Sequence, residues 1–460
     1  WSFREDERIG EPVRVLGDAW ERSYGDLQWR KMDPERYMPW VGCAYRSADR
    51  MTSCFGVRTQ PNALCMWQLD DQGLTLWADV RSGGEGVVLG GRRLHVCDIM
   101  FAEYRDQPVF SALRQFYRLL CDNPLPVPAP IYGANNWYYA YGRSSEADIL
   151  TDAALISRLA GNVQNRPFMV IDDGWQKNPC DGPWGEGNAR FPDMPGLAQK
   201  IKDLGAKPGL WVRYLADTRR ETAGITPDMR SQRDAAFLDP SHPAVLEKVA
   251  QDTRRFTREW GYQLIKHDFT TFDIFGFWGF QRKGFLAEDG WHFFDETKTS
   301  AEIIVQFYRT IYESAAPGTV ILGCNVIGHL AAGLVHLNRT GDDTSGVEWE
   351  RTRKMGVNTL AFRLPQHRAF FDMDADCVGI TGKIDWNKNR QWLRLLAVSG
   401  TPLFVSCQPD QAKGQTEADL REAFSLAAVQ NDILIPLDWM ENPWPERWML
   451  NGKEIRFQWD

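Results

Sequence analysis

Apolar and polar positions alternate in short runs through the first quarter of the chain. From about residue 131 the pattern changes to short strand-like runs, each followed by a loop and a helical stretch. The early alternations, among them 86–89 and 93–98 around the turns Gly83-Gly84 and Gly90-Gly91, predict a β-rich, sandwich-like segment over 1–125. A helical spacing over 109–121 closes it. The stretch 123–130 carries four prolines in eight residues and reads as a stiff connector. Beyond it, strands are expected over 131–137, 168–172, 208–212, 263–268, 320–324, 334–339, 369–373 and 402–406. Helices are expected over 149–159, 197–204, 244–260, 301–314, 390–398 and 417–429. Eight strand-then-helix units across 126–430 make an α/β chain with a (β/α)8 TIM barrel, which absorbs about 250 residues. The rival, a doubly wound sheet, needs a phosphate loop after an early strand, and neither GxGxxG nor GxxxxGKS/T occurs. The remainder, 431–460, holds two or three short strands, too little for an independent domain.

The chain's 460 residues are 43% apolar, 12% aromatic and 25% charged, a globular composition that excludes disorder. A net charge of −8 supplies no basic footprint for nucleic acid or an anionic membrane. No apolar run reaches the roughly 18 residues of a membrane span. A soluble protein is therefore expected, in the cytoplasm, the periplasm or outside the cell. No leader peptide is read in the sequence, while a start at Trp1 is compatible with one removed upstream. Nine cysteines, an odd number without a CxxC pair, speak against a disulfide framework or a zinc site. Twenty tryptophans stand out: they fill cores and interfaces, and they also stack on sugar rings.

In a barrel, chemistry sits where the strands end at the C-terminal face. The residues closing the expected strands are Trp137, Asp172-Asp173, Trp211, Lys266 with Asp268, Cys324, and Arg339 followed four residues on by Asp343. Asp374 and Asp376 follow the seventh strand. One such aspartate means little, because loops are solvated. Carboxylates after strands two, four and six, with Trp, Lys and Arg beside them, form a set. Two carboxylates on different strands suit glycoside hydrolysis: one attacks the anomeric carbon or activates water, and the other protonates the leaving oxygen. Lys266 and Asp268, two apart on a strand, are expected on the same side, where the ammonium keeps the carboxylate ionised. The acid needs a raised pKa, which a neighbouring carboxylate can supply. Asp342 and Asp343 are adjacent, and spacing does not choose between them. Metal-dependent barrel hydrolases want His-x-His, yet no two of the seven histidines are two apart. His267 and His336 read as core residues. There is no GxSxG, and a nucleophilic Cys324 would want His329 as its base.

The ordered motifs NWYY (136–139), VIDDGWQ (170–176), FPDMPGL (191–197) running on to KPGLWV (207–212), LDPSHP (238–243), IKHD (265–268) and DADC (374–377) carry a likeness. They resemble those of the α-galactosidase-type retaining glycoside hydrolases of families 36 and 27, over about 131–407. The resemblance implies that Asp268 is the nucleophile and that Asp343, four residues after the arginine, is the acid/base rather than Asp342. It implies that Asp172 and Asp173 hydrogen-bond the sugar's 4- and 6-hydroxyls. Trp211, Lys266 and Arg339 would contact the ring and its hydroxyls, Cys324 would lie near the 2-position, and Trp137 belongs to the first-strand motif. The implied course is double displacement between carboxyls about 5–5.5 Å apart, with no metal or organic cofactor. The implied partner is a small carbohydrate.

The sequence also departs from that pattern. The flanking β regions are short, so the family's tetramer is not assumed, and a homo-oligomer stays open. Arg213 follows Trp211 by two and is expected in the pocket, pairing with Asp172 in preference to reading an acidic sugar. After Cys324 comes Asn325-Val326-Ile327-Gly328, unlike the small-residue or Trp-containing loop of the family, which leaves the 2-substituent open. The leading expectation is removal of terminal α-linked galactose. Alternatives are an α-N-acetylgalactosaminidase or another α-glycosidase of the same clan, a raffinose-synthase-like transglycosylase, and an inactive carbohydrate-binding barrel.

Overall fold

The computed structural model of the chain describes residues 13–219, 222–429 and 432–460. Residues 1–12 of the expected N-terminal segment, and residues 430 and 431 at the expected start of the tail, lie outside the described residues.

Two antiparallel sheets come first. One has the order Arg30–Lys31, Arg14–Gly17, Val41–Arg46, Met51–Val57, Ile99–Arg105; the other pairs Met38–Pro39, Leu64–Leu69 and Leu74–Asp79. Met51–Val57 is buried at every position because it lies between two neighbours and under the helix Val109–Leu120. That helix buries Val109, Phe110, Leu113, Phe116, Tyr117 and Leu120, the i, i+3, i+4 face its spacing predicts. The runs 86–89 and 93–98 are not strands. Their backbone groups bond singly to loops, Val88 N to Glu296 O (2.8 Å), Asn62 N to Val96 O (2.9 Å) and Arg58 N to Asp98 O (2.9 Å), so no ladder forms. Alternation alone does not create a strand without an edge to pair with.

The barrel follows the proline-rich stretch. Its parallel strands are Tyr132–Asn135, Phe168–Ile171, Lys207–Val212, Leu264–His267, Val320–Gly323, Leu337–Arg339, the pair Asp372–Asp374 and Cys377–Ile380, and Leu403–Cys407. The short apolar runs are buried on both faces, as strands in a parallel sheet covered by helices must be. The seventh strand is broken. Asp372–Asp374 pairs with the sixth strand and Cys377–Ile380 with the eighth, and between them Asp376 adopts a left-handed φ of 70°. The curled sheet's two edges are therefore joined by chain rather than by a ladder.

Expected and observed boundaries differ at the ends. The first strand stops at Asn135, and Trp137 opens the helical turn Trp137–Ala140. The helix Glu146–Ala160 starts three residues early, on the capping box of Ser145 and Asp148, because its first turn is polar and invisible to apolar periodicity. The tail forms three short antiparallel strands, Ile435–Pro436, Arg447–Leu450 and Lys453–Arg456. Among the described residues no helix is long and apolar enough to cross a membrane.

Candidate active site

Register sets the site. Trp211 pairs with Lys266 across the third and fourth strands, and the Asp268 N–H donates to Val212 O at 3.0 Å, so the chain leaves the fourth strand with the Asp268 carboxyl over its C-terminal end. One carboxyl oxygen accepts the Phe269 N–H (2.7 Å) and the other accepts Trp211 Nε1–H (3.2 Å). Asp268 is buried, which by itself raises its pKa. The Arg22 and Lys266 charges outweigh that and hold the carboxyl below its ordinary value, against an opposing push from Asp343.

The expected direct pairing of Lys266 with Asp268 is replaced by a closer one. Lys266 Nζ donates to Asp172 Oδ2 at 2.7 Å, and both groups are buried. The same oxygen accepts Asn135 Nδ2–H (2.5 Å), while the other accepts the Asp173 N–H (2.9 Å). Asp173 accepts Gln176 Nε2–H (2.5 Å) and the Cys180 N–H (2.8 Å), and burial raises its pKa.

On the far side, the fully buried Arg339 holds Asp376 (2.9 Å), Asp343 (3.2 Å) and the Cys324 sulfur (3.3 Å). Asp376 is further fixed by Tyr138 Oη–H and by the Thr344 N–H. Of the two adjacent aspartates after strand six, Asp342 is gripped by Arg22 (2.9 Å) and Arg351 (2.8 Å), whereas the Asp343 side chain is about a third exposed. Burial of the Asp343 carboxyl raises its pKa, but Arg339, Arg22 and Lys266 together hold it well below the usual range. The expected upward shift is therefore absent: Asp342, itself paired with cations, does not supply it.

Sequence reasoning missed Arg22. Its side chain is 6% exposed. One guanidinium nitrogen stands 3.9 Å from Asp268 Oδ1 and 3.8 Å from Asp343 Oδ1, and the other lies 2.9 Å from Asp342. The group also lies over the Trp278 ring at 4.9 Å and donates to Cys324 Sγ at 3.7 Å. Its delivery is built in. Ser23 N donates to Thr340 O (2.9 Å) and Asp342 N donates to Ser23 O (2.8 Å), a short parallel bridge from the N-terminal region to the sixth-strand loop. The neighbouring buried Glu21 is tied to Asn325 Nδ2–H and to the Gly279 N–H (2.7 Å). No motif spacing reports such a contact, because the partners lie at opposite ends of the sequence.

Arg213 does not pair with Asp172. Its guanidinium takes Asp273 through two nitrogens (3.0 and 2.6 Å) and lies over Phe269 at 4.2 Å. A carboxylate one helical turn into the loop after strand four was closer than Asp172, so the group is already neutralised. The Trp137 N–H donates to Asn135 Oδ1 (2.8 Å) and its ring lies edge-on to Tyr141. Cys324 is buried with its thiol pKa pushed up by burial, and His329 is stacked on Trp40 with its pKa lowered to about 3 by burial, so neither is poised as nucleophile or base. Among the described residues no group of three or more His, Cys, Asp or Glu is arranged to hold a metal ion. Most of the tryptophans are core: Trp40, Trp67, Trp175, Trp184, Trp392, Trp448 and Trp459 are fully buried, and only Trp211 of the fully buried set touches a candidate catalytic carboxylate.

No protein-family profile matches the chain, and no curated protein matches it. Solved structures do. An α-galactosidase from Thermus thermophilus in complex with p-nitrophenyl α-D-galactopyranoside matches with a TM-score of 0.68 at 18% identity, over 96% of this chain and 90% of that one. A family 36 α-galactosidase variant from Geobacillus stearothermophilus, in complex with stachyose, matches with a TM-score of 0.60 at 14% identity, over 95% of this chain and 64% of that one. A family 27 β-L-arabinopyranosidase variant from the same organism, in complex with arabinose, matches with a TM-score of 0.51 at 14% identity, over 66% of this chain and 78% of that one. The chain thus has the fold of the α-galactosidase-type glycoside hydrolases.

Proposed function

We propose that this protein is a retaining glycoside hydrolase that removes terminal α-linked galactose, with Asp268 as nucleophile and Asp343 as acid/base. The observation that carries the reading is that both carboxylates lie within 4 Å of one Arg22 nitrogen at the C-terminal end of the barrel. The two oxygens can be no farther apart than those two contacts laid end to end, a span that supports the two carboxylates serving one glycosidic bond. The similar folds of enzymes complexed with α-galactosides support the choice of sugar.

In the first step Asp268, ionised by its cations, attacks the anomeric carbon. Asp343 gives its proton to the leaving oxygen. The covalent glycosyl-enzyme is then released by water that Asp343 deprotonates. Lys266 and Asp172 supply a charged donor and a carboxylate acceptor to the sugar's hydroxyls, and Trp211 offers its ring beside the nucleophile. The depressed pKa of Asp343 suits its second role and opposes its first. The proton it donates is taken up in the substrate complex, where displaced water disfavours the charged carboxylate.

The test is hydrolysis of nitrophenyl α-galactoside, α-N-acetylgalactosaminide, α-glucoside and β-L-arabinopyranoside, with Asp268→Asn alongside. Proton NMR of the first-formed anomer adds the stereochemistry. Turnover of the α-galactoside with α-galactose as first product, abolished by the substitution, is expected. No turnover of any member, or β-galactose as first product, contradicts the reading.

A further inference from the structure

We propose that Arg22, carried into the barrel by the N-terminal β region, is a specificity-determining residue that donates to the 2-hydroxyl of the bound sugar and admits no larger group there. The inference rests on the glycosidase reading above and names a contact within that site.

A group within 4 Å of both the nucleophile and the acid/base stands beside the anomeric carbon. That carbon has two ring neighbours, the ring oxygen and C2. The transition state spreads positive charge over the anomeric carbon and the ring oxygen. A guanidinium, which stays protonated, would repel that charge from the ring-oxygen side, so the tolerated side is C2. There its N–H groups meet a hydroxyl oxygen, and a donor to the 2-hydroxyl strengthens as the neighbouring carbon becomes electron-poor.

Three further observations agree. Arg22 is buried, and its Nε–H finds no partner among the described residues; the same holds for Nε of Arg339, the other arginine on Cys324. Unmet buried donors of this kind cost stability unless a ligand takes them. Arg22 is also held from behind, by Asp342 at 2.9 Å and by the Trp278 face, so it is not free to retreat from a bulky substituent. Finally, three carboxylates already surround it, so it is no reader of anionic sugars.

The experiment compares p-nitrophenyl α-D-galactopyranoside with its 2-deoxy analogue and its 2-acetamido-2-deoxy analogue, on the full chain and on Arg22→Gln and Arg22→Lys. Arg22→Gln is expected to lower kcat/KM on the parent by about 10- to 100-fold, the range of one charged hydrogen bond. On the 2-deoxy substrate, where the contact is already missing, only the effect of the lost charge on Asp268 and Asp343 remains, so the loss is expected to be at least about tenfold smaller than on the parent. Arg22→Lys, keeping the charge and losing the fork, should fall between. The unsubstituted chain should not turn over the acetamido substrate. Equal losses on parent and 2-deoxy substrates overturn the proposal, since Arg22 would then only brace the 340–343 loop. A rise in kcat/KM overturns it as well, making the side chain a plug, and so does turnover of the acetamide by the unsubstituted chain. If the unsubstituted chain hydrolyses no galactoside at all, the glycosidase reading itself is what fails.

Discussion

Lys266→Met removes an ammonium while keeping most of the side chain's volume, and its consequences follow from one contact. Lys266 Nζ and Asp172 Oδ2 are 2.7 Å apart, with the side chains 10% and 4% exposed. Deleting one partner of a buried ion pair leaves the other charged and desolvated, which costs about 3–5 kcal/mol. Asp172 keeps two donors, Asn135 Nδ2–H and the Asp173 N–H, so the lower end, about 3 kcal/mol, applies. At about 2.1 cal/mol/K of unfolding entropy per residue, a chain of 460 residues loses roughly 1 °C of Tm per kcal/mol, so a drop of about 3 °C is expected. Asp172→Asn alone strands the ammonium and should cost a similar amount. The double variant buries no charge and should recover most of the loss, a coupling of about 2 kcal/mol or more in a thermal-melt cycle. Activity should not recover, because both groups are assigned to the sugar: kcat/KM stays roughly 10- to 100-fold down in all three. With Lys266 gone, Arg22 alone holds Asp268 low, so the acid limb of kcat/KM should move to higher pH. Additive melting losses would refute the argument, for the ammonium would then not be neutralised by Asp172.

Asp343→Asn should lose about 10²–10⁴-fold on a galactoside with a sugar leaving group. It should lose far less on the nitrophenyl substrate when azide, which needs no base, replaces water. Because free Asp343 is held well below the ordinary carboxylate range, its acid form shrinks as pH rises; kcat/KM measured from pH 4 to 8 should decline throughout. Stability runs the other way. His267, His329 and His367 are buried and His336 is half-buried, all with pKa values lowered by desolvation, so the unfolded chain takes up protons below about pH 6.5 that the folded chain refuses. Stability is whole above that pH and is lost on acidification by up to about 1.4 kcal/mol per pH unit for each histidine, which a pH series of denaturant titrations measures. Arg213→Leu should lower Tm by at most about 3–5 °C, and by less at low pH, because burial already raises Asp273 to about 7 and the carboxyl protonates once its partner is gone; KM for the galactoside should stay within about twofold, and a changed KM at unchanged Tm contradicts the pairing.

The barrel was legible because its strands carry a signal that survives without context. Runs such as Phe168–Ile171 and Val320–Gly323 are apolar at every position since helices cover the outer face of the sheet and the packed barrel interior covers the inner one. Their ends were legible for a second reason: the chain leaves each strand at the C-terminal face, so Asp172, Lys266, Asp268 and Arg339 come together by topology alone. What failed did so where a partner decides. The runs 86–89 and 93–98 alternate correctly and still form no ladder, and Arg213 found Asp273 rather than Asp172 because a two-pronged contact with the segment after the neighbouring fourth strand was available. Periodicity records what a residue wants, not what lies opposite.

Arg22 marks the limit most sharply, and it changes how the site's electrostatics are read. From spacing alone, Lys266 is the cation that ionises Asp268, and Asp342 is the neighbour that raises Asp343. With Arg22 present both statements change: Lys266 bonds Asp172 directly and only shares with Arg22 the task of ionising Asp268, and Asp342 answers Arg22 instead of repelling Asp343. Arg22 then acts on nucleophile and acid at once from within 4 Å of each, helping the first by keeping it ionised and hindering the second by the same charge. A fixed cation between two such carboxylates suits turnover only if the substrate supplies something for it to bind. The N-terminal region, which the sequence presents as a separate β segment, is therefore part of the machinery: the Ser23–Gly341 bridge couples its folding to the position of the acid. A barrel expressed without residues preceding the proline-rich stretch would keep both aspartates and lose the guanidinium that stands between them.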